Sequence, residues 1–485
     1  MLRRAVLAMF FLVATAGAQT LPPPDSAARW VDSIFSGFAE PGSPGCAVGV
    51  TRGGVLSLAK GYGLADLEHD TPITPDTRFY IASLSKQFTA MAVVLLEQDG
   101  RLSLDDSIRK WVPEVPSFGA PITLRQLLHH TSGLRDYFTL LAVSGWPSDG
   151  PLTEKQFLAL VSRQRSLNFA PGDEFLYSNT GYALLSIVVR RASGLPLRDF
   201  AAKRIFGPLG MTHTEFRDDH TELIPQRALG YRPTPDGFRI SQPELDVVGD
   251  GGVYSTVDDL AKWDANFRSG RVGGKKGIAL LEEPGRLNNG QVVPYGLALT
   301  FGSVRGVKTL GHSGEYAGYR SALLRFPDRG VSVITLCNTS GASATLAEQV
   351  GTVVLGLTTK QTTATTLDLS PSEMTQGAAT TSFDSSGTRR RNDQLAKLAG
   401  SYYSDELDLP VDLVVRDGTL VLQRPGADDL RFVAFANDVY MNSDKMLLRP
   451  LRDDHDAVTG FTLTISRVRD LEFVRREPEH SSRIH

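Results

Sequence analysis

The chain has 485 residues, of which 41% are hydrophobic and 22% are charged. This composition is typical of globular proteins with a core large enough to fold without metal or multiple disulfide bonds. Its 51 Lys and Arg nearly balance its 54 Asp and Glu, giving a net charge of −3, so it lacks the basic excess of a dedicated nucleic-acid binder. With two cysteines, a disulfide-dense scaffold and a Cys-rich zinc site are excluded.

The N-terminus predicts an export signal. The stretch MLRRAVLAMFFLVATAGAQT places two arginines before a short apolar run and ends that run with small residues. The run is too short for a membrane-spanning helix; a buried N-terminal helix is the alternative. We expect a signal peptide over 1–18, a mature chain from Gln19, and a secreted or periplasmic protein without stable membrane insertion.

The sequence pattern of residues 19–357 predicts one domain of the α/β (α+β) class. Strand patterns at 45–61 and again at 294–337 enclose a middle that is mostly helical, including a helix at 84–98 that is apolar nearly all round. Strands from both ends of a domain around a helical middle favour an antiparallel sheet flanked by helices, with an inserted helical subdomain.

A second unit follows a linker. Residues 358–394 are rich in Thr, Ser and Gly, which predicts a flexible linker. Residues 395–485 return to short strand patterns, and VDLVVRDGTLVLQRP is a hairpin pattern with Asp417-Gly418 as its turn. We expect a small antiparallel β-barrel or sandwich.

The two cysteines, Cys46 and Cys337, both lie in apolar strand patterns. Export permits a disulfide between them. Two buried thiols that pack as small apolar side chains fit the pattern equally well, so the sequence leaves both alternatives open.

The first part of a candidate active site is Ser83-Leu84-Ser85-Lys86. Residues three apart share a helix face, so Lys86 can reach the Ser83 hydroxyl, and a desolvated lysine can act as a base. Two further Ser-x-x-Lys patterns start at Ser57, in a strand pattern, and at Ser107, in a surface helix start. Only Ser83 opens a long buried helix, although a serine there also fits a helix N-cap.

Two further motifs complete the candidate site. Tyr177-Ser178-Asn179 precedes a predicted helix, where a tyrosine can face a cleft and move a proton. His312-Ser313-Gly314 follows a strand pattern, and its small residues let a substrate backbone lie alongside. The N–H of the next residue, Glu315, can pair with the Ser83 N–H as an oxyanion hole. Alone, these motifs also fit a packing tyrosine and a strand-end loop.

In this order, the three motifs resemble those of penicillin-recognising serine hydrolases, which join Ser-x-x-Lys to Ser-Asp-Asn and Lys-Thr-Gly. Tyr-Ser-Asn and His-Ser-Gly take the second and third places here. The chain is similar to class C β-lactamases, DD-peptidases, D-aminopeptidases and family VIII esterases over residues 25–357, and its C-terminal unit resembles a lipocalin-like barrel.

The resemblance implies an acyl-enzyme on Ser83, with protons moved by Lys86 and Tyr177, either of which can be the general base. It implies substrate-binding roles for Asn179, His312, Ser313, Gly314 and Glu315. It implies no metal or other cofactor, and the adjacent His129 and His130 lack further zinc ligands.

The expected function is hydrolysis of amide or peptide bonds in small or peptide substrates that contain D-amino acids, of the DD-carboxypeptidase or D-aminopeptidase type. Promiscuous ester or β-lactam hydrolysis is the alternative within the family, and an inactive ligand-binding protein is the alternative outside it. Because His312 replaces a lysine and Glu315 adds a carboxylate, we expect a preference for a substrate amine, unless Arg320 or Arg305 cancels that charge. The oligomeric state stays open.

Overall fold

The computed structural model describes residues 24–147, 150–357, 395–436 and 438–476. The signal peptide expected at 1–18 and the linker expected at 358–394 lie outside these residues and stay predictions. Among the helices that the structure describes, none combines the length and the hydropathy needed to cross a membrane.

The described residues form the following α-helices, given in chain order: α1 (Pro24–Phe35), α2 (Lys86–Gln98), α3 (Ile108–Trp111), α4 (Leu124–Leu128), α5 (Tyr137–Ser144), α6 (Glu154–Ser162), α7 (Asn179–Ser193), α8 (Leu197–Ala201), α9 (Gly207–Leu209), α10 (Val257–Ser269), α11 (Gly274–Leu281) and α12 (Leu346–Val354). Tighter 3-10 turns occupy Ser36–Phe38, Ala82–Ser85 and Pro327–Arg329, and a π-helical turn occupies Ala202–Phe206.

The strands before the linker are β1 (Cys46–Arg52), β2 (Val55–Tyr62), β3 (Leu64–Asp66), β4 (Thr71–Pro72), β5 (Phe79–Tyr80), β6 (Glu215–Phe216), β7 (Tyr231–Thr234), β8 (Gly237–Ile240), β9 (Val253–Ser255), β10 (Thr300–Val304), β11 (Val307–Tyr316), β12 (Tyr319–Phe326) and β13 (Val331–Cys337). The strands after it are β14 (Gly400–Ser404), β15 (Leu409–Arg416), β16 (Thr419–Arg424), β17 (Ala427–Ala436), β18 (Val439–Met441), β19 (Leu447–Arg452), β20 (Val458–Ile465) and β21 (Val468–Arg476).

Six antiparallel strands form the main sheet, in the order β10-β11-β12-β13-β1-β2. Strand β1 lies between β2 and β13, so the two ends of the domain meet in one sheet. Val48 and Val50 pack with α1 and α12 on one face, while Ala47 and Gly49 face the helical middle and α10. Burial on both faces explains the continuous apolar run of β1, and the predicted fold class is confirmed.

Helix α2 forms the centre of the helical middle, and its side chains from Lys86 to Leu96 are all buried. The sequence predicts a helix over 84–98, but the α-helix begins at Lys86, and Ser83 lies on the 3-10 turn before it. Tertiary hydrogen bonds explain the difference. Ser321 donates to the Ile81 carbonyl at 2.7 Å, and the Ser85 hydroxyl accepts from the Val253 N–H at 3.2 Å.

Strands β14 to β21 close into an eight-stranded barrel in which each strand pairs with the next and β21 returns to β14. Asp417 and Gly418 have φ values of 53° and 69°, as a two-residue hairpin turn of type I′ requires. Apolar side chains fill the interior, among them Leu413, Phe461 and Phe473. The expected C-terminal unit is therefore a barrel and not a sandwich, and its interior is a packed core.

The barrel is attached to the helical middle through Arg135, whose side chain is fully buried. The Arg135 guanidinium donates to the Arg469 carbonyl at 2.8 Å and the Asp470 carbonyl at 3.0 Å, and it pairs with the carboxylate of Glu406. Removing one partner of such a buried pair costs on the order of 3–5 kcal/mol. The start of β21 is therefore held firmly against the helical middle.

Cys46 and Cys337 are cross-strand neighbours in β1 and β13 and form a disulfide. The chain between them spans 291 positions, and closing so long a loop restricts the unfolded chain strongly. We expect reduction to lower the free energy of unfolding by roughly 2–4 kcal/mol, measured as a lower denaturation midpoint in the presence of a thiol reductant.

The double variant Cys46→Ala/Cys337→Ala is the control, because its denaturation midpoint should not respond to the reductant. Two free thiols titrated in the unfolded, non-reduced protein would contradict this pairing.

Candidate active site

Ser83 and Lys86 lie on consecutive turns at the start of α2. The Ser83 side chain is partly exposed, whereas Lys86 is fully buried. Lys86 Nζ lies 3.0 Å from Ser83 Oγ. The 3-10 turn brings residues three apart into register, so the expected contact forms on a tighter helix than the sequence predicts. Ser83 makes no N-cap, since Ser85 precedes α2.

The buried Lys86 ammonium donates to two acceptors besides Ser83. These are Asn179 Oδ1 at 2.8 Å and the carbonyl of Asp250 at 2.6 Å. An ammonium has three donors and tolerates burial only when they are bonded. The Asp250 carbonyl was not among the predicted site residues.

Asn179 is the first residue of α7, and Asp136 sets the orientation of its amide. Asp136 Oδ2 accepts from the Asn179 backbone N–H at 2.7 Å and from Nδ2 at 2.9 Å. With Nδ2 bonded there, Oδ1 is left to face Lys86. Asp136 also caps α5 by accepting from the Thr139 N–H at 3.1 Å. Asp136 is a positioning residue that the sequence analysis missed, because nothing in the sequence indicates its contact with Asn179.

Tyr177 lies beside Lys86, whose Nζ is 5.0 Å from the centre of the tyrosine ring. The ring of His130 packs on Tyr177 with centroids 4.1 Å apart. His130 Nδ1 accepts from the Ser178 N–H at 3.1 Å, so Nε2 carries the proton of the neutral ring. Burial and the charge of Lys86 lower the pKa of His130 well below its usual value. The sequence analysis considered His130 only as a zinc ligand and missed this contact.

The Tyr177 hydroxyl is buried and has no hydrogen-bond partner among the described residues. The same is true of His130 Nε2. Buried polar groups in folded proteins are nearly always bonded. Two such atoms on neighbouring rings beside Lys86 therefore mark a place where a bound molecule can supply the missing partners.

His312 lies on the same side of the site, with its ring 6.1 Å from that of Tyr177. Its Nε2 accepts from the Tyr295 hydroxyl at 2.9 Å, and its Nδ1 donates to the Ser313 carbonyl. Burial and the charge of Lys86 lower the pKa of His312 to about 3. The third motif therefore carries a neutral side chain at physiological pH.

Gly314 brings β11 into direct contact with the turn that carries Ser83. A Cβ at Gly314 would lie 2.1 Å from the Ile81 carbonyl oxygen and 3.1 Å from the Ala82 Cβ. No side chain fits in that space, so glycine is required for the close approach.

The end of β11 presents a backbone edge to the same region. Strand β10 pairs with β11 only as far as Gly311. The hairpin to β12 closes at Tyr316 and Tyr319, and the alternation of antiparallel pairing turns the Glu315 N–H away from β12. The expected oxyanion-hole donor therefore lies on the outer edge of the sheet.

The side chains of Ser313 and Glu315 are exposed and lie on the opposite side of β11 from His312. The Glu315 carboxylate pairs with Arg320 at 2.7 Å. Arg320 thus offsets the charge on which the expected preference for a substrate amine depended, and that expectation loses its basis.

A barrel side chain, that of Arg467 in the turn between β20 and β21, reaches the site. Its guanidinium lies 4.6 Å from the centre of the Tyr177 ring and 4.0 Å from Asp136 Oδ2. Its carbonyl accepts from the Asp136 N–H at 3.3 Å. Nothing in the hairpin's sequence distinguishes this arginine from the others nearby, so the sequence analysis missed it.

The arrangement has the parts of a nucleophilic acyl-transfer site. A hydroxyl lies within hydrogen-bond distance of a buried amine, and a phenol ring lies beside that amine. The structure brings together Ser83, Lys86, Tyr177, Asn179, His312 and Gly314, while of Glu315 only the backbone faces the site.

Comparison with known proteins gives a family match over most of the chain. The family model described as Beta-lactamase matches residues 31–354. Penicillin-binding protein 4* of Bacillus subtilis (strain 168) is 31% identical over 327 residues, which are 64% of this chain and 71% of that protein. A D-aminopeptidase of Brucella anthropi is 30% identical over 325 residues, which are 66% of this chain but only 60% of that protein.

Among solved structures, the octameric penicillin-binding protein homologue from Pyrococcus abyssi superposes with a TM-score of 0.60 at 25% identity. The superposition covers 92% of this chain and 99% of that chain, so it extends beyond the residues of the family match.

The neutral state of His312 predicts a specific acid sensitivity. Its pKa is about 3 in the folded protein against an ordinary 6.5, so below pH 6.5 the unfolded chain binds a proton that the folded chain does not. The neutral His312 ring makes its full contribution to the free energy of unfolding above the ordinary pKa, and this contribution is lost as the pH falls toward 3. Between pH 8 and pH 5 we expect a loss of about 2 kcal/mol from this group.

The measurement is the free energy of unfolding of wild type and His312→Gln at both pH values. Glutamine keeps an acceptor for Tyr295, and His130 and Asp250 titrate in both proteins. The pH-dependent loss should therefore be smaller in the variant. Equal losses in the two proteins would show that His312 titrates normally.

Proposed function

This chain belongs to the beta-lactamase family, and on that premise we propose that its Ser83 forms an acyl-enzyme with amide or peptide substrates that contain D-amino acids. The family match and the relatives confirm the resemblance drawn from the motifs and the assignment to the serine hydrolases. An inactive ligand-binding protein is therefore not the better interpretation, and buried apolar side chains occupy the barrel interior in the part of the chain that the structure describes.

The contact between Lys86 Nζ and Ser83 Oγ, at 3.0 Å, is the observation that carries the proposal. In the first step Ser83 Oγ attacks the substrate carbonyl carbon while its proton passes to the base. Lys86, as the neutral amine, can accept that proton directly, and Tyr177, whose ring lies beside Lys86, is the alternative base as the phenolate.

The negative charge of the tetrahedral intermediate falls on the former carbonyl oxygen. We assign its stabilisation to the backbone N–H groups of Ser83 and Glu315, which lie on the turn before α2 and on the outer edge of β11. The contact of Gly314 with Ile81 and Ala82 keeps these two segments together.

Collapse of the intermediate breaks the C–N bond, and the leaving amine takes a proton from the protonated base. Water then attacks the acyl-enzyme, gives its proton to the same base and releases the acid product, while Ser83 recovers its proton. Asn179, held by Asp136, keeps Lys86 directed at Ser83 throughout.

The substrate class is supported by the names of two relatives, a D-aminopeptidase and a penicillin-binding protein. Ester or β-lactam hydrolysis would use the same residues, so stereochemical selectivity is the property that separates these activities.

Export is a further part of the proposal. The expected signal peptide supports it, and the disulfide between Cys46 and Cys337 suits an oxidising compartment.

We expect Ser83→Ala to lower the rate of acetyl-D-alanyl-D-alanine hydrolysis by at least about 1000-fold, because the covalent route is lost. Ser107→Ala is the matched control, since Ser107 starts a second Ser-x-x-Lys pattern but only caps α3. The measurement is the release of D-alanine, with the L,L-dipeptide and nitrophenyl acetate assayed in parallel.

We expect wild type to hydrolyse the D,D-dipeptide faster than the L,L-dipeptide. This activity should be lost in Ser83→Ala and kept in Ser107→Ala. Turnover of the ester alone would favour an esterase. Equal activity of Ser83→Ala and wild type would exclude Ser83 as the nucleophile.

Tyr177→Phe separates catalysis from packing. The hydroxyl has no hydrogen-bond partner among the described residues, so its removal should leave the melting temperature unchanged or slightly higher. Loss of a proton-transfer group should lower kcat by about 100- to 10,000-fold. A variant with lower stability but normal kcat would show that Tyr177 only packs.

A further inference from the structure

Arg467 is the one barrel side chain that reaches the Tyr177 ring among the described residues. From its position we propose that Arg467 binds a free carboxylate on the leaving-group side of the substrate, so that the enzyme prefers peptides that end in a D-amino acid with a free C-terminus. This inference rests on the proposed function and specifies which of its substrate types is used.

The backbone around Arg467 is held in place independently of its side chain. The Arg467 carbonyl accepts from Asn168 Nδ2 at 2.9 Å, and the Arg469 N–H donates to Asn168 Oδ1 at 2.8 Å. Arg135 donates to the carbonyls of Arg469 and Asp470, at the start of β21. The side chain therefore starts from a rigid support, as a binding residue needs.

The guanidinium of Arg467 has unused donors. Among the described residues its nearest carboxylate oxygen is Asp136 Oδ2, at 4.0 Å, beyond hydrogen-bond distance. That oxygen already accepts two hydrogen bonds from Asn179. By contrast, Arg469 at the start of β21 makes two bonds to Glu174, at 3.0 and 2.9 Å.

The Arg467 side chain is 30% exposed, so part of it is accessible to a ligand. Both Arg467 and Lys86 lie against the Tyr177 ring, which places the guanidinium within one side chain of the reacting centre. A guanidinium presents two parallel N–H groups that match the two oxygens of a carboxylate.

The other groups of the third motif do not supply this charge. His312 is neutral and bonded to Tyr295. The Glu315 carboxylate is paired with Arg320 on the opposite side of β11. Of the cations near the site, Lys86 is already bonded to three acceptors. Arg467 is thus the group with both the charge and the free donors to hold a substrate carboxylate.

The test compares two substrates that differ only in this charge, acetyl-D-alanyl-D-alanine and its C-terminal primary amide. Hydrolysis of the same bond releases D-alanine or D-alaninamide, and kcat/KM is measured for wild type, Arg467→Ala, Arg467→Lys and Arg469→Ala. Arg469→Ala is the matched control, because it removes a charge from the start of β21 without touching the site.

Wild type should prefer the free acid. Arg467→Ala should lower kcat/KM for the acid by about 10- to 100-fold, as for loss of a charged hydrogen-bond pair, and should change the value for the amide by less than about threefold. Arg467→Lys should recover part of the loss, and Arg469→Ala should keep the wild-type ratio. Equal losses on acid and amide, or no loss on either, would overturn the proposal.

A second pair of substrates separates this inference from the proposed peptidase activity. These are 3-acetoxybenzoic acid and its methyl ester, which carry the charge difference on an ester leaving group. If wild type hydrolyses the esters but neither peptide, the D-peptide proposal fails, and a loss of acid preference in Arg467→Ala still supports the carboxylate site. No selectivity on either pair would reject the site itself.

Discussion

The buried ammonium of Lys86 is the constraint on which the rest of the site depends. A charge removed from water is tolerated only when its donors are bonded, and Lys86 meets this condition with three acceptors from three distant parts of the chain. They are Ser83 on the turn before α2, Asn179 at the start of α7, and the Asp250 carbonyl before β9. The hydrogen bonds that compensate for the burial of Lys86 therefore also bring Ser83, the proposed nucleophile, close to Asn179 and the Asp250 carbonyl.

The geometry around Lys86 also depends on contacts with the C-terminal barrel. Asn179 can offer its oxygen to Lys86 because Asp136 binds its nitrogen. The Asp136 N–H in turn donates to the Arg467 carbonyl, so the barrel turn, the start of α5 and the start of α7 are joined at one carboxylate residue. Arg135, next to Asp136, is buried against the start of β21, which follows this turn. The C-terminal barrel is thereby part of the support of the active site, and its attachment and the geometry of the site are coupled.

The sequence was sufficient where information is local. Apolar patterning located the sheet strands and the barrel hairpin at Asp417-Gly418, and motif spacing identified Ser83 and Lys86. It was insufficient where contacts between distant segments decide the outcome. That the α-helix begins at Lys86 depends on hydrogen bonds from Val253 and Ser321 to the segment before it. The pairing of the cysteines depends on the register of β1 with β13, which places them opposite each other.

The missed site residues have the same origin. Asp136, His130 and Arg467 have ordinary sequence surroundings, and they acquire a role only when the chain brings them to Lys86 or Tyr177. Arg467 is separated from Asp136 by more than half of the chain, and the barrel's strand pattern predicts its fold but not the surface on which it docks. No periodicity or motif encodes such a contact, because it is a property of two folded surfaces.

The histidine of the third motif can be understood from the same electrostatics. A lysine at position 312 would add a second ammonium beside Lys86, in a place where burial and the charge of Lys86 lower the pKa of His312 to about 3. The neutral ring avoids that repulsion and bonds Tyr295 instead. A positive charge for the substrate then has to come from a less buried position, and Arg467, which keeps contact with solvent, meets that need at a lower desolvation cost. The neutral His312 and the barrel residue Arg467 therefore belong to one arrangement. In it, the charge that binds substrate, on Arg467, is separated from the charge of Lys86, which takes part in proton transfer.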